Sequence, residues 1–310
     1  MIKKTLYFGN PVYLSLNNEQ LVIKLPEVEK SSLDTEFKRS AVTTIPIEDI
    51  GMILFDNQQI TVTHGVIAKL LENNSALITC DSSRMPIGLM LPLCGNTVQS
   101  ERFNDQINAS QPLKKQLWQQ TIQVKIENQA HVLHKKRNVV VKNMLVWAND
   151  VKSGDPDNYE ARAAAYYWAG MFPSIPEFTR WREGVAPNNL LNYGYAILRA
   201  VVARALVASG LLPTFGIHHH NKYNAYCLAD DIMEPYRPFV DMLVAEIVDS
   251  GVPIEQLTKE LKAQLLGIPV IDVVILGKRS PLMVAVGQTT ASLYKCFSGE
   301  LRKIAYPEFP

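Results

Sequence analysis

The chain has 310 residues, of which 47% are apolar and 20% are charged, and its formal net charge is +1. This composition excludes wholesale disorder and fits one large domain or two smaller ones, and a charge so close to zero argues neither for nor against nucleic acid. The cysteines form no CxxC pair, and no Walker, GxGxxG or GxSxG motif occurs. Zinc sites, redox dithiols, nucleotide-driven motors, Rossmann dehydrogenases and α/β-hydrolases therefore lack support.

The first hundred residues are predicted to be rich in β-strands. Short apolar runs alternate with turn signals, and Asn17-Asn18 lies between two such runs, which is typical of a hairpin. The predicted elements are a hairpin of 12–16 and 21–25, short strands within 43–56, a helix at 63–71, and strands at 76–80 and 87–91. These features predict a small N-terminal β-rich domain over residues 1–98.

Helical spacing of apolar residues predominates from residue 99 onward. The predicted helices span 112–146, 159–169, 189–207 and 239–249, with a mostly helical remainder to Ala305. Asn158 is expected to cap the second of these helices. Arg199 and Arg204 interrupt the most apolar one, so no membrane span is predicted and a cytoplasmic protein is expected. The fold class is therefore predicted to be α+β, with a larger all-α domain over residues 99–310.

Charged residues are unevenly distributed along the second domain. Residues 111–142 hold seven Lys or Arg and one acidic residue, whereas 225–260 hold eight acidic and two basic residues. This asymmetry fits a phosphate-binding surface separated from a metal-binding or partner-binding surface, and it fits equally two oppositely charged solvated faces. The basic cluster at 131–142 is likewise typical of either a solvated helix face or a DNA contact.

Three of the six histidines are consecutive, at His218, His219 and His220. Successive side chains point in different directions, so at most two of them can meet one ion. An isolated triplet is also typical of a polar loop. An acidic stretch follows directly, however, and imidazole beside carboxylates is typical of a divalent-ion or proton-transfer site.

Two acidic segments are candidates for the same site. Asp230, Asp231 and Glu234 lie within five positions, and either aspartate can share a helix face with Glu234. Glu160 lies in the first turn of an alanine-rich helix, where small side chains allow another element or DNA to approach closely. Acids that balance the helix macrodipole are the better explanation for Glu160 taken alone and explain some of the acids at 230–234, but they explain less well why Glu234 lies between Met233 and Pro235. The sequence alone does not decide which acid points inward.

Taken together, these segments resemble the CRISPR-associated integrase family, whose members insert new spacers into the CRISPR array. The resemblance lies in Asn-Tyr-Glu-Ala-Arg-Ala-Ala at 158–164, the asparagine-rich segment 188–195, Phe-Gly-Ile-His-His at 215–219, the acidic motif 230–238 and the tail 287–297. It extends over essentially the whole chain. It is closest to the type II subtype, which accompanies a single-protein RNA-guided effector.

The resemblance implies a metal site formed by Glu160, His219 and Glu234, which would also be the catalytic residues. Two carboxylates and one imidazole suit Mg²⁺ or Mn²⁺. The implied activity is transesterification of DNA, in which the 3′-OH of a captured fragment attacks the CRISPR repeat. With water as the attacking group, the same site would act as an endonuclease.

The resemblance also implies partners. Family members form homodimers, expected here through residues 1–98, and two dimers flank a dimer of a small ferredoxin-like CRISPR-associated adaptation protein on double-stranded DNA. The RNA-guided effector is a further expected partner, and no membrane is. The residues predicted to contact DNA are Lys135, Lys136, Arg137, His220 and Arg237, the last of which is alternatively expected to orient Glu234. Two other hypotheses stay open: a metal-dependent phosphodiesterase with another substrate, and a non-catalytic DNA-binding scaffold.

Overall fold

The computed structural model describes residues 2–30, 38 and 41–310. The chain divides into two compact units, Met1–Gly95 and Asn96–Pro310. The predicted domain boundary after residue 98 lies slightly further along the chain. The predicted first domain also includes Met1 and residues 31–37 and 39–40, which lie outside the described residues.

The first unit is built mainly of strands, as predicted. Its elements are β1 (Lys4–Phe8), β2 (Tyr13–Asn17), β3 (Gln20–Lys24), α1 (Pro26–Lys30), β4 (Thr43–Pro46), β5 (Ile50–Phe55), β6 (Thr61–Val62), α2 (His64–Glu72), β7 (Ala76–Cys80) and β8 (Pro86–Met90). In the first sheet β1, β5 and β7 are parallel and β8 pairs antiparallel with β7. The described strands of the second sheet follow the order β4-β3-β2-β6.

The predicted hairpin is confirmed as the antiparallel pair of β2 and β3. Its turn residues are Asn18 and Glu19, both with positive φ, so the turn lies one residue later than predicted. Positive φ at two successive turn residues matches the twist of the strands they join. Alternating apolar side chains of these strands then point to one face and pack against α2.

The second unit is mainly helical. Its elements are α3 (Gln99–Asn108), α4 (Gln111–Arg137), α5 (Lys142–Asp150), α6 (Tyr159–Met171), α7 (Asn188–Ala208), α8 (Cys227–Met233), α9 (Arg237–Asp249), α10 (Lys259–Leu265), β9 (Asp272–Ile275), β10 (Lys278–Pro281) and α11 (Leu282–Phe297). A single 3₁₀ turn, Glu234–Tyr236, joins α8 to α9. This turn matters for function because it carries one of the predicted metal ligands.

Helix α7 forms the core of the second unit. Helices α8, α9, α10 and α11 all pack against it. Among the described residues it is the one helix long and apolar enough to cross a membrane, and 72% of its most apolar window is buried inside the structure. A helix that is apolar on all sides is typical of the core of a large domain as well as of a membrane span.

Two predictions for the second unit are wrong. The helix expected over 112–146 is two helices, because Asn138 adopts the left-handed conformation (φ 52°) that commonly ends a helix. The domain is also not all-α, because β9 and β10 form a hairpin whose turn residues, Leu276 and Gly277, both have positive φ. Each of these strands has only four residues, too few to stand out against the helical signal around them.

Candidate metal and catalytic site

Glu160 projects from the first turn of α6, and Asp155 fixes the backbone at that point. The amides of Tyr159 and Glu160 donate to the two oxygens of Asp155 at 2.9 and 3.0 Å. The predicted cap, Asn158, has a left-handed backbone and makes no side-chain cap bond. The start of α6 is therefore held by a carboxylate three residues before the predicted cap.

Glu234 lies at the start of the 3₁₀ turn and is only 5% exposed. Arg237 Nε donates to its Oε1 at 2.8 Å, which is one of the two roles predicted for Arg237. Burial alone would raise the pKa of Glu234, but the positive charges of Arg237 and Lys125 outweigh burial and lower it to about 2. Glu234 is therefore an ionised carboxylate inside the protein.

Lys125, on α4, lies between the two acids, and sequence reasoning missed it. Its ammonium donates to Glu160 Oε1 at 2.6 Å and lies 2.6 Å from Glu234 Oε2. The second contact is an equally short ion pair, so the ammonium is shared between Glu160 Oε1 and Glu234 Oε2. Burial disfavours the charged ammonium, but the two carboxylates more than compensate and raise the pKa of Lys125.

Asp231, on helix α8, anchors the histidine loop, residues 216–220. This fully buried carboxylate accepts the amides of Ile217 and His218 at 2.7 and 2.9 Å, and its Oδ1 lies 2.5 Å from Nδ1 of His219. The hydrogen bond to Asp231 raises the pKa of His219. With Nδ1 engaged, Nε2 is the ring nitrogen that remains free to face other groups, so Asp231 fixes the orientation that an imidazole ligand would need.

Gly216 and Trp118 allow this loop to close tightly. A Cβ on Gly216 would lie 2.5 Å from the carbonyl oxygen of His219 and 2.7 Å from Oδ2 of Asp231, so only glycine fits. The Trp118 ring stacks on His218 at a centroid distance of 4.1 Å and meets His219 edge-on at 5.5 Å. His218 is thus engaged in packing, and its burial lowers its pKa.

Asp230, the remaining acid of this stretch, points to other partners. It accepts from Arg199 Nε and from Asn224 Nδ2, both at 2.7 Å. Of the three neighbouring acids, Glu234 is therefore the one that shares a cation with Glu160. The sequence alone could not show which of the three acids does so, because either aspartate can share a helix face with Glu234.

Three basic residues of 111–142 pair with acids of 225–260, so the two stretches are partly in contact and are not wholly separate charged surfaces. Lys136 lies 2.5 Å from a carboxylate oxygen of Glu246, and Arg137 contacts both oxygens of Asp249 at 2.8 and 2.9 Å. These pairs join α4 to α9, while Lys125 joins α4 to the turn just before α9. The charges stabilise the packing of neighbouring helices.

The DNA contacts predicted for five residues stay predictions. Lys135 and His220 are exposed, as such contacts require. Lys136, Arg137 and Arg237 have acidic partners within the protein, so any contact with DNA would have to share or replace those pairs.

The side chains at this site fit a hard divalent cation, although they are not assembled as a ligand set. Within the described residues, no three acidic, histidine or cysteine side chains lie together as a group that could hold an ion. Glu160 and Glu234 converge through Lys125, and both act electrostatically on His219. Oε2 of Glu234 already lies 2.6 Å from a cation, the Lys125 ammonium, and is the oxygen that Arg237 does not bind. Carboxylate oxygens with one imidazole match the preferences of Mg²⁺ and Mn²⁺.

Solved structures share this architecture of a β-rich unit followed by a helical unit. A solved structure described as a casposase bound to integration product has a TM-score of 0.76 and 20% identity, covering 98% of this chain and 92% of that one. A Cas6-RT-Cas1–Cas2 complex has a TM-score of 0.73 and 19% identity, covering 97% of this chain and 35% of that one. At these identities the likeness establishes the fold.

Sequence comparison establishes the family. The family model for CRISPR associated protein Cas1 matches residues 6–266. The CRISPR-associated endonuclease Cas1 of Neisseria meningitidis serogroup C is 37% identical over 267 residues, which cover 86% of this chain and 83% of that protein. The chain therefore belongs to the Cas1 family, and the resemblance drawn from the sequence motifs is confirmed.

Proposed function

We propose that this chain is a divalent-metal-dependent DNA integrase and endonuclease that inserts captured DNA fragments at a CRISPR repeat. The observation that carries the proposal is the convergence of Glu160 and Glu234 on one buried cation, beside an imidazole oriented by Asp231. A relative named as an endonuclease, and a fold shared with a casposase bound to integration product, support the same reaction class.

Mg²⁺ or Mn²⁺ would be held by Glu160, Glu234 and Nε2 of His219. Such an ion supplies a Lewis acid at the scissile phosphate and favours the oxyanion form of the attacking hydroxyl. Arg237 binds Oε1 of Glu234, and Oε2, which faces Lys125, would serve the ion, while Asp231 fixes the orientation and tautomer of His219. Each proposed ligand thus has a charged neighbour, which for Glu160 is Lys125.

The proposed reaction exchanges one phosphodiester bond for another. The 3′ oxygen of the captured fragment bonds to phosphorus, the bond from phosphorus to the 3′ oxygen of the repeat breaks, and the hydroxyl proton passes through solvent to the leaving oxygen. With water as the attacking group, the same exchange cleaves the strand. One site would therefore account for both integrase and endonuclease activity.

The partners follow from the same proposal. We expect a cytoplasmic homodimer, formed through residues 1–98, that binds double-stranded DNA. A dimer of a small ferredoxin-like adaptation protein would be flanked by two such homodimers, and the RNA-guided effector is a further expected partner. The fold shared with a solved Cas6-RT-Cas1–Cas2 complex supports an association of this kind.

A strand-transfer assay tests the proposal. A short duplex with free 3′-OH ends, a supercoiled plasmid carrying a repeat, the small partner protein and Mn²⁺ are incubated with wild type, Glu234→Gln or His219→Ala. Glu246→Gln is the matched control, because Glu246 also pairs with a lysine of α4 but lies outside the site. We expect joined products from wild type and Glu246→Gln, and a loss of at least about a hundredfold in the two site variants.

Other outcomes would identify the alternatives. Cleavage of DNA or of another phosphodiester without joining would favour a hydrolase. Equal products from wild type, Glu234→Gln and His219→Ala would show that the metal site is wrongly assigned. Binding of DNA without any metal-dependent reaction would indicate a scaffold protein.

A further inference from the structure

Lys125 places a buried positive charge where the proposed metal would lie. Its side chain is only 9% exposed, yet its ammonium contacts both Glu160 and Glu234 at 2.6 Å. Lys125 and Arg237 balance the charges of Glu160 and Glu234, and Asp231 adds one further carboxylate beside His219. A divalent ion added to this set would leave more positive than negative charge in a partly buried place, which is unfavourable. One of the two cations is therefore expected to withdraw when an ion binds.

Lys125 is the cation that can move. Arg237 is fixed by its bond to Glu234 Oε1 and by the ring of Tyr195, which lies 4.5 Å from its guanidinium carbon. Lysine instead carries a compact charge on a flexible stem. Lys125 also lies 2.6 Å from Glu234 Oε2, the oxygen that Arg237 does not bind and that an ion would need.

The structure contains a place for the ammonium to go. A cavity of about 170 Å³ adjoins Lys125, and its wall includes Gln129 and Asp241 as well as the cationic side chains of Arg180 and Arg237. Gln129 lies four residues after Lys125 on α4, so the two side chains share a helix face. Gln129 is 3% exposed, and its Oε1 is buried without a hydrogen-bond partner. Buried acceptors normally have a donor, and an ammonium turned into the cavity would supply one.

We propose that Lys125 is a placeholder cation, an inference that rests on the proposed metal site. In the metal-free protein it bridges Glu160 and Glu234, and when Mg²⁺ or Mn²⁺ binds it turns toward Gln129 Oε1. The lysine keeps the two acids together before the ion arrives and competes with the ion for the same oxygens. The binding affinity for the ion is correspondingly lower than the ligand set alone would give.

Mn²⁺ titration of the full chain without DNA tests this placeholder. We would compare wild type, Lys125→Met, Gln129→Leu and Glu234→Gln by calorimetry, and measure thermal unfolding in EDTA and in Mn²⁺. Lys125→Met should bind Mn²⁺ about tenfold more tightly, melt at a lower temperature in EDTA, and gain more from added Mn²⁺ than wild type does. Gln129→Leu should weaken Mn²⁺ binding several-fold yet melt normally in EDTA, because its Oε1 has no hydrogen bond to lose.

The outcomes separate this inference from the metal site itself. Suppose that wild type binds Mn²⁺, that Glu234→Gln fails to bind it, and that Lys125→Met binds it no more tightly than wild type. The placeholder role of Lys125 is then overturned, and the metal site stands. Unchanged affinity in Gln129→Leu would overturn the second position of the lysine. Absence of Mn²⁺ binding by wild type would overturn both proposals. If Lys125→Met fails to fold, Gln129→Leu still decides, because it retains the contacts of Lys125 with the acids.

Discussion

Replacement of Asp231 by asparagine should weaken the attachment of the histidine loop (residues 216–220) to helix α8. The carboxylate accepts two backbone amides through Oδ2 and the ring of His219 through Oδ1, and it is fully buried. Asparagine keeps the shape but presents one acceptor oxygen and one NH₂ group. If its oxygen accepts the amides of Ile217 and His218, its NH₂ group faces the backbone amide and Nδ1 of His219. That amide then loses its acceptor, and the ring must change tautomer to keep a hydrogen bond.

The magnitude follows from the number of bonds at risk. Hydrogen bonds to charged groups contribute about 1.5–3 kcal/mol each, and a buried donor left without an acceptor costs about 1–3 kcal/mol. We therefore expect Asp231→Asn to lower the free energy of unfolding by about 3 kcal/mol. For a unit of this size the melting temperature should fall by roughly 6–12 °C. The pKa of His219 should fall as well, because the hydrogen bond to Asp231 is the main cause of its elevation.

Urea unfolding and an NMR titration of the histidine ring measure the two effects. The matched control is Asp230→Asn, because Asp230 is the neighbouring acid but its partners are side chains, one of them the 41% exposed Arg199. A loss within about 1 kcal/mol is expected for the control, as for a partly exposed ion pair. Equal losses in the two variants, or an unchanged pKa of His219 in Asp231→Asn, would refute the anchoring role.

Three further predictions concern stability. Burial raises the pKa of Asp241 from 3.8 to about 7, so its protonated form stabilises the folded protein at low pH. As pH rises from 3.8 to about 7, the free energy of unfolding of wild type should fall by up to about 4 kcal/mol relative to that of Asp241→Asn. Urea-unfolding measurements in which the two proteins change in parallel with pH would contradict this. Gly194→Ala should lower the free energy of unfolding by about 1–3 kcal/mol, because its Cβ would lie 2.6 Å from a buried side chain of α9. Gly287→Ala has open space around its Cβ and should raise it by about 0.5–1 kcal/mol. Thermal melts that rank the two variants alike would argue against the packing explanation. A double-mutant cycle of Arg137→Met and Asp249→Asn should give a coupling energy of about 1 kcal/mol that shrinks with salt, and no coupling would mean that the pair does not stabilise the packing of α4 against α9.

Local patterns predicted most of the elements, because alternation and helical periodicity report which side of a strand or helix is buried. They failed where a backbone feature overruled the pattern, as at Asn138, whose left-handed conformation ends α4 inside a continuous helical signal. The candidate ligands were found because they lie in compact motifs. Lys125 was missed because it lies in an ordinary helical segment with no motif, far in sequence from both acids, and only tertiary packing brings it between them.

The charge pairs of α4 explain how the site forms without an ion. Structural zinc sites fold only when the metal binds, since the ligands otherwise have no reason to converge. Here Lys125 joins Glu160 to Glu234, and Lys136 and Arg137 hold the same helix against α9. Because a buried carboxylate without a counter-charge is strongly unfavourable, Lys125 and Arg237 permit Glu234 to be buried beside the partly exposed Glu160. An ion that merely replaces an existing cation changes the charge of the site rather than its fold, and such a site can bind and release its metal while the protein stays folded.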